Sequence, residues 1–261
     1  MGRAILGVAA GDARFEVAAA WERPDNPQRG GSLAALTGLT KLGGRLAAGP
    51  SELSGLDAVI DFTAPAASLA LLEAVRASRS RPALVIGTTG FEADQLRRLR
   101  TRARGLRVVF SSNYSVGVNL LWQALELVAR VTRDDYDVEV IEAHHHHKKD
   151  SPSGTAMTTA EVLARALGRD LNRWARYGRP KGNIGARDAR EIGLHTVRGG
   201  DIVGDHTVLF AGPGERLEFK HQAHTRENFA RGALRAALWA CQKGRKPGFY
   251  SMAEVLGFAG K

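Results

Sequence analysis

Short apolar runs alternate along this chain with amphipathic stretches, so strand spacing and helix spacing take turns. Residues 1–10 (MGRAILGVAA) place Ile5, Leu6 and Ala9 on one helical face. Residues 15–21 (FEVAAAW) read as a buried strand that runs into Glu22 and Arg23. Residues 24–54, rich in Gly, Pro and Ser, read as a long surface excursion. From there the pattern sharpens. LDAVIDF (56–62) is a buried strand, and Pro65 opens a helix to Ser78 in the first-turn position that suits proline. Residues 82–86 form a strand, 92–104 a helix and 107–110 another strand. Strands that are continuous apolar runs are covered on both faces, and their alternation with helices predicts a parallel, doubly wound, Rossmann-like sheet.

The second half follows a different plan. VGVNLLWQALELVARV (116–131) is an amphipathic helix that leads into a second domain. DVEVIEA (137–143) is β-branched and alternating, hence a strand, and AMTTAEVLARALG is a helix ending near Gly168. A polar, Arg- and Gly-rich excursion fills 169–190. Strands at 192–197, 206–210 and 216–221 come next, joined by GGDIVGD and AGPGE turns. Strands gathered after one helix predict a mixed, mainly antiparallel sheet, open on one face. Such a face needs cover, which argues for oligomerisation. A long helix over 226–242 returns to the first domain, and residues 252–256 end the chain.

Composition narrows the setting. The 261 residues suffice for one large domain or two modest ones. A single cysteine, Cys241, rules out an internal disulfide framework and fits a reducing cytoplasm. No apolar run approaches a membrane span, and no signal-peptide pattern opens the sequence. The formal charge of +10 invites a nucleic-acid reading. However, the densest basic run, RRLRTRAR (97–104), lies on an expected helix with apolar residues between its charges and without interleaved aromatics. It reads as a solvated helix face.

Chemistry concentrates in EAHHHHKKDSPSGT (142–155), where a strand runs into a cationic loop and then a helix start. That order makes an anion site. Gly154 lets backbone approach a ligand, and the first free amides of the helix point at it. The adjoining histidines and lysines can move protons near neutral pH. An internal position excludes an expression tag. Metal binding by the four histidines remains a rival, although successive strand residues point to alternate faces and converge poorly on one ion.

The string EAHHHHKKDSPSGTA resembles the signature of the 4-hydroxy-tetrahydrodipicolinate (dihydrodipicolinate) reductase family, E-A-H-H-x-H-K-x-D-x-P-S-G-T-A, at every fixed position. The turns Gly87–Thr88–Thr89 and Ser111–Ser112–Asn113–Tyr114 are similar to the family's VIGTTG and xxN[FY]SxGVN motifs, and the C-terminal half resembles the family closely. The resemblance implies that His144 is a proton donor and acceptor and Lys148 a proton donor. His145 and the Gly154–Thr155 backbone would hold the substrate's carboxylates. Gly87, Thr88, Thr89, Ser111, Ser112, Asn113 and Tyr114 would line the nicotinamide end of NADPH or NADH.

The resemblance also implies a homotetramer built through the second sheet, and no metal. Glu22 and Arg23, at a strand end, suit the adenosine ribose hydroxyls and a 2′-phosphate respectively, and together suggest use of both coenzymes; the sequence by itself equally allows an exposed charged pair after a strand. The expected organisation is a dinucleotide-binding domain over 1–115, completed by 226–261, and a substrate-binding and oligomerisation domain over 116–225.

The resemblance departs at the start. Family members open with an apolar strand and a G-x-x-G-R-M-G loop, of which Met1-Gly2-Arg3 matches the last part; Met1 is expected at the cofactor. An initiation codon placed too late is one expectation. A chain without the phosphate loop, kept as an impaired or non-catalytic carboxylate-binding protein, is the other.

Overall fold

The computed structural model of the chain describes residues 1–50 and 53–258. Its elements run α1 (Gly2–Ala10), β1 (Ala20–Glu22), α2 (Leu33–Thr37), β2 (Leu46–Ala48), β3 (Ala58–Asp61), α3 (Pro65–Ala77), β4 (Ala83–Ile86), α4 (Ala93–Arg102) and β5 (Arg107–Phe110). They continue with α5 (Val116–Thr132), β6 (Asp137–His144), α6 (Gly154–Leu167), α7 (Leu171–Trp174), β7 (Ala175–Tyr177), β8 (Ile192–Arg198), β9 (Gly204–Gly212) and β10 (Glu215–Ala223). Then come α8 (Glu227–Ala240), β11 (Gly248–Tyr250) and α9 (Met252–Val255). The chain divides into two compact units. Met1–Ser115 together with the segment from Glu227 onward makes the first, and Val116–Arg226 the second.

The first unit is built on a four-stranded parallel sheet in the order β11-β5-β4-β3. All of β4 is buried, as a run of four apolar residues requires. Leu84 and Ile86 pack with Leu72 and Val75 of α3 and Leu99 of α4. Ala83 and Val85 face the other way, onto Ala233, Ala236, Ala237 and Ala240 of α8 and Met252 of α9. The alternation of the strand thus divides one tetrapeptide between two cores. Small residues let α8 approach closely. A β-carbon on Gly232 would stand 1.7 Å from the carbonyl oxygen of Tyr114, so α8 rests on the turn that follows β5.

Two expectations for this unit need correction. The strand over 15–21 shrinks to Ala20–Glu22, because the alanines before Trp21 have little strand preference. It pairs in parallel with β2 and not with the four-stranded sheet. The excursion over 24–54 contains α2 and β2 within its described part, whereas residues 51 and 52 lie outside the described residues. The short β11, unforeseen, extends the sheet beside β5.

The second unit carries a five-stranded mixed sheet in the order β10-β9-β6-β8-β7. β9 pairs antiparallel with β10 and β6, and β8 pairs parallel with β6 and β7; the antiparallel β9–β10 ladder is the longest of the four. Helices α5 and α6 cover one face, where Val138, Val140, Ile192, Leu194, Val208 and Phe210 meet Leu121, Leu125, Ala160 and Leu163. On β6, residues 138, 140, 142 and 144 point into this core by strict alternation, but the last two are Glu142 and His144. The polar end of that apolar row is where the site begins. The excursion over 169–190 is pinned to the sheet by ion pairs of Arg179 and Arg187 with Glu139, and it holds α7 and the edge strand β7. Among the described residues, no helix is long and apolar enough to cross a membrane.

Candidate active site

Glu142 and His144 lie two residues apart on β6 and therefore on one face. Nδ1 of His144 is 2.5 Å from Oε2 of Glu142. Glu142 is almost wholly buried, at 1 % exposure. Arg198, from the end of β8, donates to both its carboxylate oxygens at 2.9 Å, and the backbone amide of Ser153 donates to Oε1 at 3.1 Å. Burial would raise this carboxyl, but the hydrogen bonds from His144, Arg198 and Ser153 bring it down to about 2. It is an anion at any working pH. An anionic carboxylate only accepts, so Nδ1 of His144 is the donor and Nε2 is left for other business.

His206 of β9 lies across from Glu142 and meets the His144 ring edge-on, with centroids 5.2 Å apart. Burial first, and then the charge of His144, lower its pKa to about 4. His206 is therefore neutral beside the more exposed histidines. Its Nε2 lies 3.0 Å from Oγ of Ser153, the N-cap of α6, which also accepts from the Ala156 amide at 3.1 Å.

After β6 the chain turns sharply. The His145 amide donates to Ile202, and the Lys148 amide donates to His145. His146 and His147 are exposed. Lys148 forms an ion pair with Asp150 at 2.9 Å, and Arg198 donates to the Asp150 carbonyl at 2.7 Å. The pKa of His145 is lowered by burial and then by the positive charges of Arg226, His144, His147 and Lys148. A dianion is the natural counterpart.

Gly154 begins α6 without a left-handed φ, and a β-carbon there would meet nothing within 4 Å among the described residues. Among the described residues, neither backbone geometry nor packing requires glycine at this position. Thr155 follows on the same first turn, its carbonyl accepting from Thr159.

Four residues around Glu142 and His144 were not foreseen: Arg198, Ser153, His206 and Gly204. Ser153 stands in the same local string as Glu142 and His144, but Arg198, His206 and Gly204 arrive from distant strands. Among the described residues, no group of three or more His, Cys, Asp or Glu side chains is placed to hold a metal ion. A cleft of about 740 Å3 on the second unit is lined by Ser151, Pro152, Met157, Tyr177, Leu194, His195 and Thr196. None of His144, His145, Lys148, Gly154 or Thr155 lines it.

In the first unit, the two expected cofactor turns sit side by side at the carboxyl ends of β4 and β5, where open α/β sheets take ligands. Gly87, Thr89 and Ser112 face outward in whole or part. Thr88 is buried, its hydroxyl accepting from Ser68 and the Thr63 amide. Ser111 donates to the Asn113 carbonyl, and Asn113 accepts from the Ser115 amide, which fixes the second turn. The hydroxyl of Tyr114 reaches the carbonyls of Ile86 and Val109, and burial raises its pKa well above the usual range. Its ring therefore braces the turn. Oδ2 of Asp61, at the end of β3, is buried without a hydrogen-bond partner. These turns suit a dinucleotide. Glu22 accepts from the Arg23 amide and Arg23 pairs with Asp25, on β1 and just beyond it. Met1 is the N-cap of α1.

Family models for dihydrodipicolinate reductase match the chain twice, the N-terminal one over residues 1–114 and the C-terminal one over 117–256. The chain belongs to the dihydrodipicolinate reductase family. Among relatives of this family, the 4-hydroxy-tetrahydrodipicolinate reductase of Methylococcus capsulatus is 46 % identical over 100 % of this chain and 95 % of its own length. The enzyme of the same name from Thiobacillus denitrificans is 48 % identical over 98 % of this chain and 94 % of its own. The fold is shared with the dipicolinate-bound dihydrodipicolinate reductase of Paenisporosarcina sp. TG-14, with a TM-score of 0.69, 23 % identity and coverage of 97 % and 94 %. An amine dehydrogenase from Mycobacterium smegmatis shares it more loosely, with a TM-score of 0.54, 13 % identity and coverage of 97 % and 92 %. The boundary between the two family models falls where α5 opens the second unit, whereas α8 and α9, inside the C-terminal model, fold back into the first.

Proposed function

We infer that the chain reduces 4-hydroxy-tetrahydrodipicolinate to tetrahydrodipicolinate with NADPH or NADH, a step of the diaminopimelate and lysine route. The observation that carries this reading is near-half identity to reductases of that name across the whole chain. The intact string from Glu142 to Ala156 agrees with it. Water leaves the hydroxylated ring, and the resulting conjugated ring takes up one hydride and one proton. When bound, the dinucleotide supplies the hydride. Lys148 delivers the proton, and His144, whose Nε2 is free to exchange, serves the same step. His145 and the first amides of α6, at Gly154 and Thr155, hold the ring carboxylates.

The first unit binds the dinucleotide through Gly87–Thr89 and Ser111–Tyr114, with Met1 at the start of α1 and with Glu22 and Arg23 toward the ribose and any 2′-phosphate. The second unit binds substrate and, through the sheet face away from α5 and α6, assembles a homotetramer. The cytoplasm is the setting that such a biosynthetic step needs.

The direct test supplies freshly generated substrate and NADPH to the purified chain, then follows nicotinamide absorbance and the mass of the product. Substrate-dependent oxidation with tetrahydrodipicolinate as product is expected. Coenzyme binding without that oxidation would replace this reading with a non-catalytic carboxylate binder.

A further inference from the structure

Glu142 has more partners than a fold requires. A carboxylate at the end of an apolar strand face is costly to bury, and an apolar residue of similar volume serves stability at least as well. Yet its acceptor positions are filled by four donors from three segments: Nδ1 of His144, both terminal nitrogens of Arg198 and the amide of Ser153. Each donor leads to a residue of the proposed site. His144 is the proton-exchanging imidazole. Ser153 caps α6, so its placement sets where the Gly154 and Thr155 amides stand. Arg198 also donates to the carbonyl of Asp150, whose side chain holds Nζ of Lys148.

We propose that Glu142 is the positioning residue of the substrate site: one oxygen fixes the tautomer of His144 so that Nε2 is presented for proton exchange, and the other anchors the start of the carboxylate-binding helix. This rests on the proposed reductase chemistry of His144. The ring of His206 on β9 meets His144 edge-on. His206 is neutral and adds no competing cation. Glu142 is therefore the anion in direct contact with the His144 ring, and the contact leaves Nε2 as the nitrogen presented for proton exchange.

Glu142→Gln keeps the shape and one acceptor but cannot take the Nδ1–H bond as an anion. Its kcat should fall by about a hundredfold or more. NADPH affinity should stay within about twofold, and Glu142→Asp should recover part of the loss. On the unaltered protein, nitrogen NMR of labelled histidine should find neutral His144 protonated at Nδ1, a readout that needs no variant to fold. Neutral His144 protonated at Nε2, or a folded Glu142→Gln with kcat within a few-fold of the parent, overturns the proposal. If those results coincide with a large loss in His144→Ala, the reductase reading stands and the role of Glu142 falls alone. If His144→Ala turns over normally, the reading beneath falls and takes this role with it.

Discussion

A β-carbon added to Gly204 on β9 would stand 2.9 Å from Nε2 of His144 on β6. The imidazole cannot easily give way, because Glu142 holds its other nitrogen and the ring of His206 lies against it. Gly204→Ala should therefore displace the proton-exchanging nitrogen. A shift of this kind costs on the order of a hundredfold in kcat when the reacting geometry is tight, and NADPH affinity should not change. Steady-state kinetics with a coenzyme titration check this; turnover equal to the parent would mean that the ring moves aside harmlessly.

Gly154 gives the opposite signature. Since a β-carbon there meets no described atom and the backbone is ordinary, Gly154→Ala should leave thermal stability unchanged or raise it by up to about 1 kcal/mol. Substrate KM should nevertheless rise by about tenfold or more, because the added methyl occupies the space in front of the free helix amides. Calorimetry and kinetics on the same preparation separate the two effects. An unchanged KM would remove Gly154 from the site.

Buried His206 sets a pH dependence of stability. Its imidazole falls from an ordinary 6.5 to about 4, by burial first and then by the charge of His144. Above 6.5 it is neutral in both the folded and the unfolded chain and adds no slope. Between 6.5 and 4 the unfolded chain takes up a proton that the folded chain refuses, so stability falls as the pH falls. The whole span is on the order of 3 kcal/mol. Glu142 acts in a lower window: its folded pKa of about 2 against an ordinary 4.5 gives stabilisation that is complete above 4.5 and lost as pH falls toward 2. Urea unfolding from pH 7 to pH 4, compared between the parent and His206→Gln, isolates the histidine. Identical slopes in the two proteins would show that His206 is not the group responsible.

The sequence made some of this legible and hid the rest for physical reasons. The strand at 107–110 and the helix starts at Pro65 and Val116 stand where apolar pattern and proline placement put them. Burial of both faces writes itself into β4 as an unbroken apolar run. The three-residue strands β1, β2, β7 and β11 were unreadable or misread, because so short a segment holds no period and takes its order from the neighbour it pairs with. The site divides in the same way. His144, Lys148 and Gly154 stand in one local string, but Arg198 reaches Glu142 across 56 residues and His206 reaches Ser153 across 53. Strand pairing creates those contacts, and nothing local in Arg198 or His206 announces them. Gly204 is hidden for a similar reason, since its need for a bare α-carbon comes from a ring on another strand.

Lys148 carries the central claim. It stands in the loop between β6 and α6, held by Asp150 at 2.9 Å, and its proposed work is proton delivery to the reducing ring rather than coenzyme binding. The decisive measurement compares turnover and NADPH affinity in the parent and in Lys148→Ala on the same substrate. A loss in kcat of about a hundredfold or more, with NADPH affinity within about twofold of the parent, is the expected result. Turnover within a few-fold of the parent would contradict it.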